Sequence, residues 1–185
     1  MSVIVLDRDG VINCEPAEGV TSADAWQPLP GSIEAMAALS QAGYQLVIAT
    51  NQPGLAHGLF DLDDLEAMHA KMRGLVEDAG GEIAAIFYCP HGPDDGCRCR
   101  KPETGLLDAI EAEFDTSLHD SYFVGDRLRD LQAAVAKGCK PVLVRTGHGS
   151  ETLESLLSAP DPALAVTAVF DDLAHFSSFL LQQHH

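Results

Sequence analysis

Five short apolar runs, each stopping at a polar residue or a glycine, constrain this chain more than any other feature. They are Val3–Leu6 before Asp7, Gln45–Ala49 before Thr50 and Asn51, Ile83–Tyr88 before Cys89, Ser121–Val124 before Gly125 and Asp126, and Pro141–Arg145 before Thr146 and Gly147. Short continuous runs of this kind read as strands of a parallel sheet covered on both faces. Between them lie segments with helical spacing. Ile33, Met36, Ala37 and Leu39 mark one, closed by Gly43, and Leu65 to Ala79 mark a second, with Asp61 as N-cap and Gly80–Gly81 as stop. Met68 and Met72 in that second segment read as core. Leu106, Ile110 and Phe114 mark a third, Leu131, Ala134 and Val135 a fourth, and Leu173, Phe176 and Leu180 a last one. Strand–helix alternation with short connections predicts a doubly wound, Rossmann-like α/β sheet. Ligands of such sheets bind outside the carboxyl ends of the strands, where the polar residues ending these runs fall. The length, 185 residues, suits one domain spanning residues 1–185, with no internal repeat.

The charge excludes several functions. With 28 acidic and 11 basic residues the formal net charge is −17, which repels nucleic-acid backbones and anionic membranes. No apolar run approaches the length of a membrane span. The start, MSVIVLDRDG, lacks the basic region and long apolar stretch of a signal peptide, so the cytoplasm is the expected compartment. No exposed apolar stripe stands out, and a monomer is expected. The terminal His184–His185 pair reads as a tag remnant. Six of the 11 basic residues fall in three short segments: Arg8; Arg98, Arg100 and Lys101; Arg127 and Arg129. Concentrated at one site, they let an acidic chain accept a phosphorylated substrate.

Asp7-Arg8-Asp9-Gly10 follows the first strand directly. Carboxylates two apart in extended backbone point the same way, and a tight turn at Gly10 aims both at one place. Such a pair can bind Mg²⁺ through hard oxygens. It can also divide labour, one carboxylate attacking and the other moving a proton. Asp126, in GDRLRD, offers a third carboxylate, spaced four residues from Asp130. Thr50 and Asn51 supply a hydroxyl and an amide for phosphate oxygens, and Lys101 a point charge. Asp, Thr, Lys and Asp in this order resemble the four motifs of the haloacid dehalogenase superfamily, from Val3 to about Gly149. That resemblance implies a fold without a large cap domain and a phosphatase in which Asp7 attacks phosphorus. Asp9 then acts as acid and base, Thr50 and Lys101 stabilise the transferring group, and Asp7, Asp126 and the backbone carbonyl of Asp9 hold Mg²⁺.

A second constellation is Cys89-Pro-His91, five residues, then Cys97-Arg-Cys99. Three thiolates and an imidazole form the closed ligand set of structural Zn²⁺. The loop 89–99, rich in Pro and Gly, has little core of its own and needs a staple. A zinc loop running into Arg100-Lys101-Pro102 resembles the D-glycero-D-manno-heptose 1,7-bisphosphate phosphatase family and the related histidinol-phosphatase domain. The string TNQPGLAHG at 50–58 and the run VLVRTG at 142–147 favour the heptose family. Pro53 and His57 depart from its pattern, and the short zinc-loop spacing occurs in the histidinol-phosphatase domain too. The resemblance implies removal of the C7 phosphate from a heptose bisphosphate, supplying heptose for lipopolysaccharide core. It implies that Asn51, Arg100 and Arg127 bind substrate. The segment Asn13–Pro28, with Trp26, is expected at a sugar-facing rim, sharing the pocket wall with the zinc loop. The alternatives are a histidinol-phosphate phosphatase, favoured by an acidic rim facing an ammonium group, and a zinc-dependent binding module. A binding module would not need the set Asp7, Asp9, Thr50, Lys101 and Asp126.

Overall fold

The computed structural model describes residues 2–183, so the His184–His185 pair lies outside the described residues. Among the described residues, six strands form one sheet in the order β3-β2-β1-β4-β5-β6. They are β1 (Val3–Leu6), β2 (Gln45–Asn51), β3 (Ala85–Cys89), β4 (Tyr122–Gly125), β5 (Lys140–Val144) and β6 (Ala168–Phe170), every pair parallel. The helices are α1 (Ser32–Gln41), α2 (Leu62–Asp78), α3 (Gly105–Phe114), α4 (Leu128–Ala136), α5 (Gly149–Ser158) and α6 (Leu173–Gln182). All five apolar runs are strands. β6 and α5 are additional. β6 is three residues long with two of them exposed, and so carries little of the burial that makes a strand legible. No helix among the described residues is long and apolar enough to cross a membrane.

Two-residue alternation splits β1 between two cores. Ile4 and Leu6 pack into the larger cluster, with Met36 of α1, Met68 and Met72 of α2 and Phe176 of α6. Val3 and Val5 face the opposite cluster, with Leu107 and Ile110 of α3 and Ala133 and Ala134 of α4. Each face of the sheet is therefore covered by helices, which is why its central strands show no polar alternation.

The helix starts follow from local chemistry. The Asp61 carboxylate accepts from Asp64 N at 2.9 Å, and the Asp64 carboxylate accepts from Asp61 N at 3.0 Å. This reciprocal capping box satisfies two amides that α2 cannot bond internally.

The chain runs outward from β1 to β3, then crosses back to place β4 beside β1. Strand order reverses between those two, which opens a crevice at their carboxyl ends. Asp7 leaves β1 and Asp126 leaves β4 at that crevice.

One expectation is corrected. Trp26 is fully buried rather than on a rim. The Lys71 ammonium donates to the carbonyls of Ala23 and Trp26 at 2.8 and 2.6 Å, pinning this segment against α2 and turning the indole into the core. Cys14 is exposed, whereas the other lone cysteine, Cys139, is buried.

Candidate active site

Asp7, Asp126 and Asp130 are all buried, and one carboxylate oxygen from each lies within 4.8 Å of the others. Lys101 is the cation set among them. Its ammonium lies 2.9 Å from Asp7 Oδ1 and 2.7 Å from Asp130 Oδ1, and donates to the Ala49 carbonyl at 2.8 Å. Burial and the neighbouring Asp130 push the Asp7 carboxyl up to about 7, despite Lys101. Burial, Asp7 and Asp130 together push Asp126 up to about 9. Buried like charges resist ionising together.

Asp126 Oδ2 accepts from His148 N at 2.8 Å, while its buried Oδ1 has no hydrogen-bond partner among the described residues. Gly10 and Gly147 both have positive φ and press against this carboxylate. A Cβ at either position would overlap Asp126 Oδ2. An orphaned carboxylate oxygen, a second carboxylate and a cradle closed by two glycines fit a hard divalent cation such as Mg²⁺. Asp130 spends Oδ2 on the amides of Asp126 and Arg127, at 3.2 and 3.1 Å, and so fixes the turn into α4. It was not singled out as a site residue in the sequence, although its spacing from Asp126 was visible.

The carboxylate of Asp9 stands apart from that cluster. Its Oδ1 accepts from Arg8 Nε at 3.0 Å, Arg8 Nη2 at 2.9 Å and Asn13 Nδ2 at 2.9 Å. Its Oδ2 accepts from Gln52 Nε2 at 3.0 Å. Burial opposes ionisation of Asp9, but Arg8 and these hydrogen bonds outweigh it and lower its pKa. Gln52 also donates to Thr50 Oγ1 at 2.9 Å. Thr50 is buried at the end of β2, its hydroxyl tied to Gln52. Asn51 clasps the backbone of Lys101, accepting from its N–H at 3.0 Å and donating to its carbonyl at 3.1 Å. Both polar ends of the Asn51 side chain thus serve Lys101.

A cavity of about 540 Å³ opens above these groups. Asp7, Asp9, Asn51 and Lys101 lie at its base, with Arg127, Arg129 and His148 on one side. The other walls are Glu15–Thr21 and a segment between Gln52 and Phe60 that includes His57. The loop 89–99 is not part of that wall, contrary to expectation. It folds about its own cysteines beside β3, and the Cys89 carbonyl accepts from Gln52 N at 2.8 Å. Arg100 opens onto a smaller neighbouring cavity of about 220 Å³ with Lys101. Its Nη1 is buried without a partner among the described residues. Burial and the charge of Arg129, with a smaller contribution from Arg127, lower its pKa. Arg127 is paired with Glu15 at 3.2 Å, and His148 lies 3.5 Å from the same carboxylate oxygen.

The four atoms of the Cys/His cluster also converge. Cys89 Sγ lies 3.0 Å from Cys99 Sγ, 3.7 Å from Cys97 Sγ and 3.5 Å from His91 Nδ1. His91 Nδ1 lies 3.2 Å from Cys99 Sγ. Tetrahedral Zn²⁺ with its usual bond lengths sets ligand atoms roughly 3.3–3.8 Å apart, so this donor set fits the metal with small adjustments.

A parallel sheet carrying these carboxylates and one buried lysine at its switch point is the site of a haloacid-dehalogenase-like hydrolase. The family described as HAD-hyrolase-like matches residues 98–176. The D-glycero-beta-D-manno-heptose-1,7-bisphosphate 7-phosphatase of Pseudomonas aeruginosa is 51% identical over 181 residues, covering 98% of each chain. The protein of the same name from Bordetella bronchiseptica is 49% identical over 183 residues, covering 99% of each. The crystal structure of D,D-heptose 1.7-bisphosphate phosphatase from B. bronchiseptica, complexed with magnesium and phosphate, superposes with a TM-score of 0.93 at 49% identity and covers 99% of each chain. The chain belongs to the D-glycero-beta-D-manno-heptose-1,7-bisphosphate 7-phosphatase family.

The Asn51 clasp gives a direct test. Asn51→Ala strands two buried backbone groups of Lys101, which costs about 1–3 kcal/mol of stability. Urea unfolding should show that loss together with a lower kcat. Unchanged stability with only a raised KM would mean Asn51 serves substrate rather than Lys101.

Proposed function

We propose that this chain is a Mg²⁺-dependent phosphatase that removes the 7-phosphate of D-glycero-D-manno-heptose 1,7-bisphosphate and leaves the 1-phosphate. The observation that carries this reading is one pocket holding Asp7 and Lys101 at its base and Arg127 and Arg129 on its wall, with Arg100 close by. A bisphosphate needs two anion sites, one reactive and one for recognition, and arginine grips a phosphate through paired N–H groups. The product feeds heptose into lipopolysaccharide core.

In this reading Asp7 attacks the 7-phosphorus. The bond from phosphorus to the C7 oxygen breaks as a bond to the Asp7 carboxylate forms, and Asp9, once it has taken a proton from solvent, gives that proton to the leaving oxygen. A water then attacks the phosphorus of phospho-Asp7, passes a proton back to Asp9, and inorganic phosphate departs. Thr50 and Lys101 face the charge that builds on the phosphoryl oxygens. Asp7, Asp126 and the backbone carbonyl of Asp9 would hold Mg²⁺, which when bound offsets the repulsion between a carboxylate and a phosphate dianion. Asp130, committed to Lys101 and two backbone amides, orients the site instead of ligating. Asn51, placed by its hydrogen bonds on Lys101, contributes to substrate binding mainly by fixing that residue.

Histidinol phosphate is the second reading, and Glu15 and Glu18 on the same wall are what its ammonium would meet. Glu15 is already paired with Arg127, which favours the bisphosphate. Cys89, His91, Cys97 and Cys99 would hold Zn²⁺ as a structural staple, fixing Arg100 and Lys101 just beyond Cys99. Five cysteines without a disulfide suit the reducing cytoplasm.

Phosphate release under saturating Mg²⁺ should strongly favour heptose 1,7-bisphosphate over histidinol phosphate, and Asp7→Asn should remove it while the fold persists. Preference for histidinol phosphate would overturn the substrate, and turnover by Asp7→Asn would overturn the nucleophile. Removing zinc should lower the thermal midpoint and loosen residues 89–99, so an unchanged midpoint in zinc-free protein would count against a structural metal.

A further inference from the structure

We infer that His69 is a positioning residue for Asp9, acting through Arg8. The inference rests on the proposed acid–base role of Asp9 and adds the group that sets its geometry. His69 lies on α2, 61 residues from Arg8 in sequence, and both side chains are buried. Arg8 Nη1 is 3.1 Å from His69 Nε2. A guanidinium can only donate. His69 Nε2 is therefore the acceptor, and the imidazole is neutral with its proton on Nδ1.

Arg8 has no exposed surface at all, so its donors depend on acceptors inside the protein. Nε and Nη2 both go to Asp9 Oδ1, and Nη1 goes to His69. His69 thus fixes the far end of the rigid fork whose near end grips Asp9. With Asn13 also on Oδ1, that oxygen accepts three donors. Oδ2 accepts only from Gln52 among the described residues. The proton that Asp9 gives and takes consequently belongs on Oδ2, and Asp9 lines the cavity. A fork free to swing would let the carboxylate rotate and exchange its two oxygens. Positioning of this kind acts on proton transfer and leaves phosphate binding to other groups.

The test compares His69→Leu, which keeps bulk but offers no acceptor, with His69→Gln, which keeps an acceptor oxygen, and runs Asp9→Asn beside them. On the bisphosphate, His69→Leu should lower kcat by about 10-fold or more with KM within about 2-fold, and His69→Gln should recover most of it. On p-nitrophenyl phosphate, whose phenolate departs without a proton, the loss in kcat/KM should be much smaller. Equal losses in both variants, equal losses on both substrates, or a loss confined to KM would overturn the inference while leaving Asp9 in its role. Wild-type turnover by Asp9→Asn would overturn the role of Asp9 and this inference with it. Should His69→Leu fail to fold, Arg8→Lys reads the same link from its other end. It keeps the charge without the fork, and an unaltered ratio between the two substrates would overturn the inference.

Discussion

Three carboxylates buried around a single ammonium set the terms for everything else near the crevice. Lys101 can pair with Asp7 and Asp130, but Asp126 keeps one buried oxygen with no partner among the described residues. Taking such charges out of water is costly, and one missing counter-charge leaves that cost uncompensated. The fold nevertheless closes tightly on the cluster, with Gly10 and Gly147 admitting backbone where a side chain would collide with Asp126. An arrangement this strained by itself is relieved by a small, doubly charged cation. It is also what a phosphate dianion needs before a carboxylate can approach it.

Around that centre, most polar side chains hold other residues and few stand free. Asn51 clasps the Lys101 backbone, Gln52 links Asp9 to Thr50, and Arg8 ties Asp9 to α2 through His69. Each link joins a loop at the carboxyl end of one strand to a different part of the chain. The reactive groups are therefore fixed by rigid elements even though they sit in loops. Asp7 and Asp9 sit in opposite environments. Burial and crowding by like charge raise the first, while Arg8 and hydrogen bonds from Asn13 and Gln52 lower the second.

Much of this was legible in the sequence because it is local. A strand that ends in Asp-x-Asp-Gly states its own geometry, and the spacing of Cys89, His91, Cys97 and Cys99 defines a ligand set without any knowledge of the fold. The five strands and the capped start of α2 were readable from periodicity and one side chain. What escaped depends on long-range packing. Nothing near His69 in sequence points to Arg8. Trp26 was placed at a rim by its acidic, glycine-containing surroundings, yet Lys71 draws its segment inward from a helix far along the chain. The pocket wall was misread for a related reason. The segment after β2 carries no charge signature, while the cysteine loop, conspicuous in sequence, turns away to close on itself.

The central claim is that the crowded carboxylates are built to take a cation, and protons report on it most directly. In metal-free protein Asp126 is raised to about 9 and Asp7 to about 7, from 3.8. Above the unfolded value the folded state therefore holds protons that the unfolded chain has released, and stability falls as pH rises towards 9. Ligation requires the ionised forms, so metal binding expels those protons. Calorimetric titration of Mg²⁺ into metal-free protein at pH 7, repeated in buffers of different protonation enthalpy, should show proton release, and Asp126→Asn should remove the binding. Mg²⁺ binding without proton release, and undiminished in Asp126→Asn, would contradict the account.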